Sequence, residues 1–467
     1  MGAEVKKILL LLLAVFSPFV CFAAERSTFL AITEDRQWQG QVVLEQPILV
    51  AVGATLTIAP GTRIRTTEKE FLIRVEGTLQ ALGSATQPII FDTPRGWQGI
   101  ELYQSAELSR FDFVRITAAA VGLSSSLSRF EVKQSRFQDC STAIKLNRQS
   151  TALIVDSTFN ANQLAVGIGM RSQVVLRGNR FRGNKTAVMA SRNSSGELTD
   201  NYFGENQQGV YLRNLFAGKL MKNSFINNAT AILCDQTMAS PLIEGNRFES
   251  NQQGVVCLLA SKPHLRYNVF QDNQLALVNN QLGSPHVEQN LFLRNLIAIK
   301  NERRSAPLVE RNRFEKNKLA LLCDYLSYPT VRQNNFIANH LAVKLGDHQS
   351  ADMEKQGSST AQRQKTLAAS GRPGKLAVFG PAAGVVDVRQ NWWGRELTEA
   401  EPQLFFSRQQ AKWVIDDISG EPYLRDRITY SPWLQTPVAD AGIQLTTYGG
   451  TDGKSHETGV ETGDSDR

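Results

Sequence analysis

The apolar residues of this chain come in short bursts that alternate with polar residues, and the same burst returns about every 22 residues. Phenylalanine marks its centre, and ten copies lie in register with intervals of 22 residues and a single interval of 23. The ten are Phe137, Phe159, Phe181, Phe203, Phe225, Phe248, Phe270, Phe292, Phe314 and Phe336. Such alternation predicts short strands joined by turns, because a helix would repeat its apolar residues every three or four positions.

Polar and small residues keep fixed places around each phenylalanine. Asparagine lies three residues after nearly every one, with Cys140 in the first copy, and another lies two residues before, with Ser135 and Ser157 in the first two. Ala or Gly always follows at the sixth position, and Val, Ile or Leu at the seventh. A unit this small cannot close its own core, so we expect the copies to stack on one another.

Stacking would pair each strand with its equivalent in the next copy, about 4.8 Å away. Phenylalanine then lies on phenylalanine inside, and asparagine lies on asparagine at the turns, where the amides satisfy one another and the turn backbone. A leucine-rich horseshoe would need a leucine-rich consensus and a helical segment, which the repeat lacks. The predicted fold is therefore all-β: a single-stranded, right-handed parallel β-helix of 22-residue coils with a cap at each end.

The units Asn-x-Phe-x-x-Asn-x-x-Ala/Gly-Val resemble the repeats of the pectate-lyase-like superfamily of parallel β-helices. They are similar also to those of the periplasmic β-helix family that includes the nitrous-oxide reductase maturation factor. The resemblance covers about residues 40–435. It implies the fold but no single activity, because the superfamily holds lyases, hydrolases, epimerases, adhesins and maturation factors.

The repeat also predicts how the chain is divided. The rhythm stops after Phe336, and the next aromatic in its place is Trp393, 57 residues later, so the polar residues between them are interpreted as an insertion. Residues 397–415 are interpreted as a short capping helix. The predicted segments are a signal peptide (1–23), an N-terminal cap with early coils (24–112), regular coils (113–346), an inserted polar loop (347–375), a last coil with a C-terminal cap (376–440) and a disordered tail (441–467).

The first residues have the features of a secretory signal. Lys6 and Lys7 precede an apolar stretch over residues 8–20, and Ala23 ends a short cleavage sequence. The stretch is too short to cross a membrane comfortably, and no other long apolar run follows. We expect cleavage after Ala23 and an exported chain, located in the periplasm, at the cell surface or outside the cell, that does not span a membrane.

Cleavage would leave 49 basic and 43 acidic residues, a net charge of +6. This excess is a mild bias toward anionic partners such as acidic polysaccharide. The sequence has no basic cluster of the kind that binds nucleic acid, so no nucleic-acid partner is expected.

Four cysteines remain after cleavage, too few for a scaffold built on disulfides, and they are expected to be reduced thiols: Cys140, Cys234, Cys257 and Cys323.

One candidate ligand site lies on the later copies. His264 and His286 occupy the same position in neighbouring copies, and Arg266, Glu288 and Glu310 follow two positions later in successive copies. Two imidazoles beside carboxylates can bind a metal or serve as acid and base, although the same pattern also fits a solvated charge ladder on an ordinary strand. The sequence predicts ligand binding here and no dedicated metal motif.

Tyr325 and Tyr328 complete the candidate site, because they lie close together at one turn and offer rings for stacking on sugars.

An apolar row is expected on the outer surface, eight residues after most of the repeating phenylalanines. An exposed row of this length implies that the inserted loop, a ligand or a partner covers it. The alternative is that the assignment of inside and outside is shifted by one residue. Its members are Met189, Tyr211, Leu233, Val256, Val278 and Leu322.

The catalytic signatures familiar in the superfamily are missing: the coils contain no Asn-Thr-Asp, no Asp-Asp pair and no Asp-Pro-His. We therefore predict an exported solenoid of the cell envelope or exterior that binds polysaccharide or a surface partner without catalysis. Two alternatives stay open: a polysaccharide-active lyase or hydrolase with an unrecognised site, and a periplasmic metalloenzyme maturation factor. The sequence indicates no particular cofactor and no oligomeric state.

Overall fold

The computed structural model of the 467-residue chain describes residues 29–237, 239–351, 384–395, 413–415 and 422–443. Within these ranges all regular secondary structure is β, which confirms the predicted all-β solenoid. No helix in the described ranges is long and apolar enough to cross a membrane.

Each coil contributes one short strand to each of three parallel sheets, and hydrogen-bonded neighbours come from successive coils. The first sheet has 15 strands, and the second and third have 14 each. The strands of the first sheet are β1 (Leu30–Ile32), β4 (Ile48–Val50), β7 (Leu72–Val75), β10 (Gly99–Tyr103), β13 (Val121–Ser126), β16 (Thr142–Asn147), β19 (Leu164–Ile168), β22 (Thr186–Ala190), β25 (Gln208–Arg213), β28 (Thr230–Asp235), β31 (Gln253–Leu258), β34 (Leu275–Asn279), β37 (Ile297–Asn301), β40 (Leu319–Cys323) and β43 (Leu341–Leu345).

The strands of the second sheet are β2 (Arg36–Trp38), β5 (Thr55–Ile58), β8 (Thr78–Leu82), β11 (Leu108–Asp112), β14 (Arg129–Lys133), β17 (Thr151–Val155), β20 (Gln173–Arg177), β23 (Ser195–Thr199), β26 (Ala217–Met221), β29 (Leu242–Glu244), β32 (His264–Arg266), β35 (His286–Glu288), β38 (Leu308–Glu310) and β41 (Thr330–Arg332). Those of the third sheet are β3 (Gln41–Leu44), β6 (Arg63–Thr66), β9 (Ile89–Phe91), β12 (Val114–Thr117), β15 (Arg136–Gln138), β18 (Thr158–Asn160), β21 (Arg180–Arg182), β24 (Tyr202–Gly204), β27 (Ser224–Ile226), β30 (Arg247–Glu249), β33 (Val269–Gln271), β36 (Leu291–Leu293), β39 (Arg313–Glu315) and β42 (Asn335–Ile337).

The repeating phenylalanines form one continuous column inside the third sheet. All ten are buried, and neighbouring rings stack with centroids 4.6 to 5.3 Å apart. The column follows from the parallel register, which places Phe225, Phe248 and Phe270 directly opposite one another. The predicted inward direction of the phenylalanines is thus confirmed.

The asparagines form two buried columns at the turns on either side of the third sheet. Asn246 is typical: its side-chain amide donates to the Asn268 Oδ1 at 3.0 Å and to the Leu220 carbonyl at 2.8 Å. Its own Oδ1 accepts both the backbone and the side-chain N–H of Asn223, at 2.9 and 3.0 Å. The turns that carry these asparagines therefore satisfy the buried amides through the coils before and after them.

The two ends of the solenoid extend the same geometry. Residues 30–44, which the sequence assigns to the N-terminal cap, supply the first strand of all three sheets. Beyond the insertion, the Asn391 side chain accepts from Asn334 at 2.9 Å, and Trp393 stacks on Phe336 at 4.7 Å. The chain thus returns to register after the interruption, as the spacing of Trp393 predicted.

Two small sheets close the C-terminal part: β44 (Val385–Asp387) pairs in parallel with β47 (Arg427–Thr429), and β45 (Trp413–Ile415) pairs antiparallel with β46 (Pro422–Leu424). Residues 413–415 are therefore a strand held by a partner strand, and the expected helix over 397–415 is wrong for those three residues. The other residues of that range lie outside the described part, as do the signal peptide and residues 352–375 of the predicted loop.

The last described residues lie along the outside of the third sheet. Val438 exchanges hydrogen bonds with the Asn335 side chain at 2.8 and 2.9 Å, and Gly442 donates to the Arg311 carbonyl at 2.8 Å. Ile443 packs against Val269 and Leu291. Residues 442 and 443 are therefore held against the third sheet by a hydrogen bond and an apolar contact.

Candidate metal- and ligand-binding site

The candidate residues lie on the outer face of the second sheet, where the strands are only three residues long. In β29, β32, β35, β38 and β41 the central residue is buried and the two flanking residues point outward. The parallel register places His264 opposite His286 and Arg266 opposite Glu288. The first outward row thus carries the histidines and the second row carries the charges, as the sequence predicted.

The two histidines and their neighbouring carboxylates form one connected cluster. The imidazole rings stack with centroids 4.7 Å apart and an interplanar angle of 1°. His264 Nε2 lies 2.7 Å from Glu288 Oε1, and His286 Nε2 lies 3.1 Å from Glu310 Oε1 and 3.8 Å from Glu288 Oε2. Each imidazole therefore reaches diagonally to the carboxylate of the next coil, and Glu288 contacts both histidines.

The guanidinium groups at this face are already paired. Arg266 contacts Glu244 at 3.1 Å, and Arg332 contacts Glu310 at 3.0 Å. Burial by itself raises the pKa of Glu310, but hydrogen bonds from His286 and Arg332 outweigh it and hold the pKa below its ordinary value. With neutral imidazoles, three carboxylates face two guanidinium groups, so the local charge favours a cation over an anion.

Three of these side chains can converge on a single ion. One donor atom each from His264, His286 and Glu288 lies within 4.8 Å of the other two. The histidine side chains are 30% and 36% exposed, so an ion has access from solvent. Two imidazole nitrogens and a carboxylate oxygen suit Cu²⁺, Zn²⁺ or Ni²⁺, and the strands hold them at fixed spacing.

The tyrosines of the predicted site have other partners. The Tyr328 hydroxyl donates to Asp426 at 2.8 Å, and its ring packs partly buried against the core. The Tyr325 ring stacks on His348 with centroids 4.5 Å apart. Both belong to the turn before β41, two coils beyond His286. The structure thus brings together the histidines, Arg266, Glu288 and Glu310, but not the tyrosines.

The apolar row lies on the outer face of the first sheet, as predicted, with Lys300 interrupting it between Val278 and Leu322. Val256 and Val278 are 6% exposed, and the other members are half-buried. Residues 352–375 of the predicted loop, one of the expected covers, lie outside the described part of the chain.

The four cysteines are free and buried. Cys234 and Cys257 are direct neighbours in the first sheet, and Asn279 and Asn301 continue their column toward Cys323. Burial raises the pKa of the Cys323 thiol to about 12 and that of Cys140 to about 11. Protonated thiols without solvent access are poor metal ligands, so the outward cluster is the better candidate.

Comparison with known families identifies the group to which these coils belong. The family model described as "Periplasmic copper-binding protein (NosD)" matches residues 97–284 and 236–366, more than half of the chain. The chain belongs to the NosD family. Membership of a periplasmic family supports the expectation of an exported protein. It also confirms the resemblance of the repeats to a periplasmic β-helix family. Among curated protein sequences, none matches this chain.

Two kinds of solved structure are similar to it. One is a point mutant of the periplasmic alginate epimerase AlgG, with 15% identity, a TM-score of 0.38, and coverage of 66% of this chain and 77% of that one. The other is a double mutant of the tailspike protein of E. coli bacteriophage HK620, with 10% identity, a TM-score of 0.39, and coverage of 69% and 70%.

Proposed function

We propose that this protein is an exported, non-catalytic solenoid that binds a divalent transition-metal ion such as Cu²⁺ at His264, His286 and Glu288. The observation that carries the proposal is the convergence of their three donor atoms within 4.8 Å on neighbouring coils. The description of the family, a periplasmic copper-binding protein, supports the same metal. A role in supplying metal to a periplasmic metalloenzyme is the corresponding biological function.

The donor set fits copper by its chemistry. Imidazole nitrogen is a good ligand for Cu²⁺, and three protein ligands leave further coordination positions for water or for a ligand of the recipient protein. An open, partly exposed site suits an ion that is cargo, because release needs no unfolding of the coils. The same ligands must be deprotonated to bind, so affinity is expected to fall as the solution is acidified.

Binding of a glycan at the same face is the second candidate. It is favoured by the regular spacing of the outward rows, which recur once per coil along the second sheet. Paired guanidinium groups argue against an acidic sugar here, because Arg266 would have to leave Glu244 and Arg332 would have to leave Glu310. A neutral or amino sugar meets no such cost.

Titration of the metal-free mature protein with Cu²⁺, followed by calorimetry and electron paramagnetic resonance, tests the proposal. We expect one tight site with a two-nitrogen signature, lost in the double variant His264→Ala/His286→Ala. His340→Ala removes an exposed imidazole outside the cluster and is the matched control, which should keep the site. Unchanged copper affinity in the double variant would refute the metal proposal, whereas loss of glycan binding in that variant would support the second candidate.

A further inference from the structure

A second charged cluster lies far from the histidines, at the turns that join the first sheet to the second. Arg148, Arg171 and Arg192 come from three successive coils, between β16 and β17, β19 and β20, and β22 and β23. They line a groove of about 680 Å³ together with Leu127 and Met170. The groove runs along the solenoid axis, since each coil adds one arginine.

The backbone fixes the spacing of these arginines. The turns stack through hydrogen bonds between coils: Gln149 N–H donates to the Met170 carbonyl at 2.9 Å, and Arg171 N–H donates to the Arg192 carbonyl at 3.1 Å. Left-handed backbone angles recur at these turns, with φ of 58° at Arg192, and turn the side chains outward. The turns that carry the three arginines are therefore stacked one coil apart, about 4.8 Å, with Arg171 one position further along its turn than Arg148 and Arg192.

The arginines of the groove have no acidic partner, unlike many other arginines of the described surface. Among the described residues, no carboxylate lies within 4.0 Å of Arg148, Arg171 or Arg192, whereas Arg182 pairs with Glu205 at 2.8 Å and Arg294 with Asp272 at 2.9 Å. The turn sequences around them, residues 147–151, 169–173 and 191–195, contain no Asp or Glu. Three unneutralised guanidinium groups side by side repel one another, and an anionic ligand relieves that repulsion.

We propose that this groove binds an extended acidic polysaccharide whose sugars carry carboxylates, that is, a chain containing uronic acids. Guanidinium is planar and pairs with a carboxylate through two parallel hydrogen bonds, so each arginine can hold one uronate. A sugar residue in an extended chain has about the length of one coil rise, so carboxylates along the chain can follow the row of arginines.

The apolar part of the lining distinguishes a glycan from a nucleic acid. Leu127 and Met170 are 42% and 49% exposed and can contact the C–H faces of sugar rings. The described lining of the groove has no aromatic side chain on which a base could stack, and stacking is the main non-electrostatic contact in single-strand binding. This site is independent of the metal cluster, which lies on later coils of the second sheet.

Binding of a hexagalacturonate to the full mature protein tests the inference. We expect saturable binding that weakens with added NaCl, because the exposed charges are screened, and little binding of the same oligosaccharide after its carboxyl groups are reduced to alcohols. The triple variant Arg148→Gln/Arg171→Gln/Arg192→Gln should raise the Kd by about tenfold or more, which corresponds to at least about 1.4 kcal/mol.

The matched control removes three exposed arginines elsewhere, as Arg36→Gln/Arg115→Gln/Arg136→Gln, with the same change in net charge. It should bind the hexagalacturonate within about twofold of the parent. Circular dichroism reports whether both triple variants retain the fold. Equal losses of affinity in the two variants would overturn the proposal. So would a parent protein that binds inorganic polyphosphate and a single-stranded oligonucleotide as tightly as the hexagalacturonate, because the groove would then be a nonspecific polyanion surface.

Discussion

At the scale of single residues, the asparagine columns are the most demanding feature of the fold, because each amide serves three coils at once. Asn246 accepts two hydrogen bonds from Asn223 and donates to Asn268 and to the Leu220 carbonyl. A side chain of similar size without polar atoms would fill the space and take these partners away from the Asn223 backbone N–H and the Leu220 carbonyl. A buried unpaired group costs about 1–3 kcal/mol.

Asn246→Leu is therefore expected to lower the free energy of unfolding by about 3 kcal/mol or more, since several buried donors and acceptors lose their partners together. Urea denaturation followed by circular dichroism measures the change. Asn160→Leu is the matched control, because Asn160 is half-buried on the outer face of β18, and its effect should stay within about 0.5 kcal/mol. Equal effects at the two positions would mean that the amide columns do not stabilise the coils.

At the scale of the coil, stability depends on the contact of each strand with the strands before and after it. The Phe248 ring stacks on Phe225 at 5.0 Å and on Phe270 at 4.6 Å, and it has no exposed surface. Phe248→Ala removes both contacts and leaves a cavity that the rigid neighbouring coils cannot fill. Losses of this kind cost about 3–5 kcal/mol.

We expect that loss for Phe248→Ala in the same denaturation experiment, with Phe29→Ala as control. Phe29 is 36% exposed at the N-terminal edge, so its truncation should cost far less. A cost below about 1 kcal/mol at Phe248 would contradict a close-packed column.

The elements that the sequence predicted are those whose residues repeat. Phe248 and Asn246 recur in register and point inward, so the period of 22 determines both their neighbours and their burial. The histidine pair was predictable for the same reason. The pairing of Arg266 with Glu244 does not follow from the period alone, because it depends on side-chain conformations on a crowded outer face.

The arginine groove was missed for a different reason. Arg148, Arg171 and Arg192 are 23 and 21 residues apart, so a search at the repeat length passes over them. They come together because the position of the arginine within the turn between the first and second sheets shifts by one residue while the stacking of the turn backbone is kept. Similarly, the strand Trp413–Ile415 lies outside the repeat, where no period indicates its partner.

At the scale of the whole molecule, three sheets around one core give three outer faces that can differ in chemistry without disturbing the packing. The second sheet carries the histidine cluster, the turns between the first and second sheets carry the arginine groove, and the third sheet is partly covered by the C-terminal segment. Because each face is built from outward residues, substitution on one should leave the others functional. The metal and glycan proposals can therefore be tested separately on one protein.

The C-terminal segment provides the last test of this organisation. Residues 438–443 lie along the third sheet, with Val438 bonded to Asn335 and Ile443 packed on Val269 and Leu291. A chain ending at Pro437 should keep its coils and expose part of those two apolar side chains, and complete burial of such a side chain stabilises a fold by about 1.5–3 kcal/mol. We expect a lower Tm and stronger binding of a hydrophobic dye, with the β signal in circular dichroism unchanged. A chain ending at Ile443 keeps the segment and is the matched control, so it should behave as the parent does. If both truncated chains bind dye equally, the segment does not protect the third sheet, and its contacts with Val269 and Leu291 contribute nothing to the stability of the solenoid.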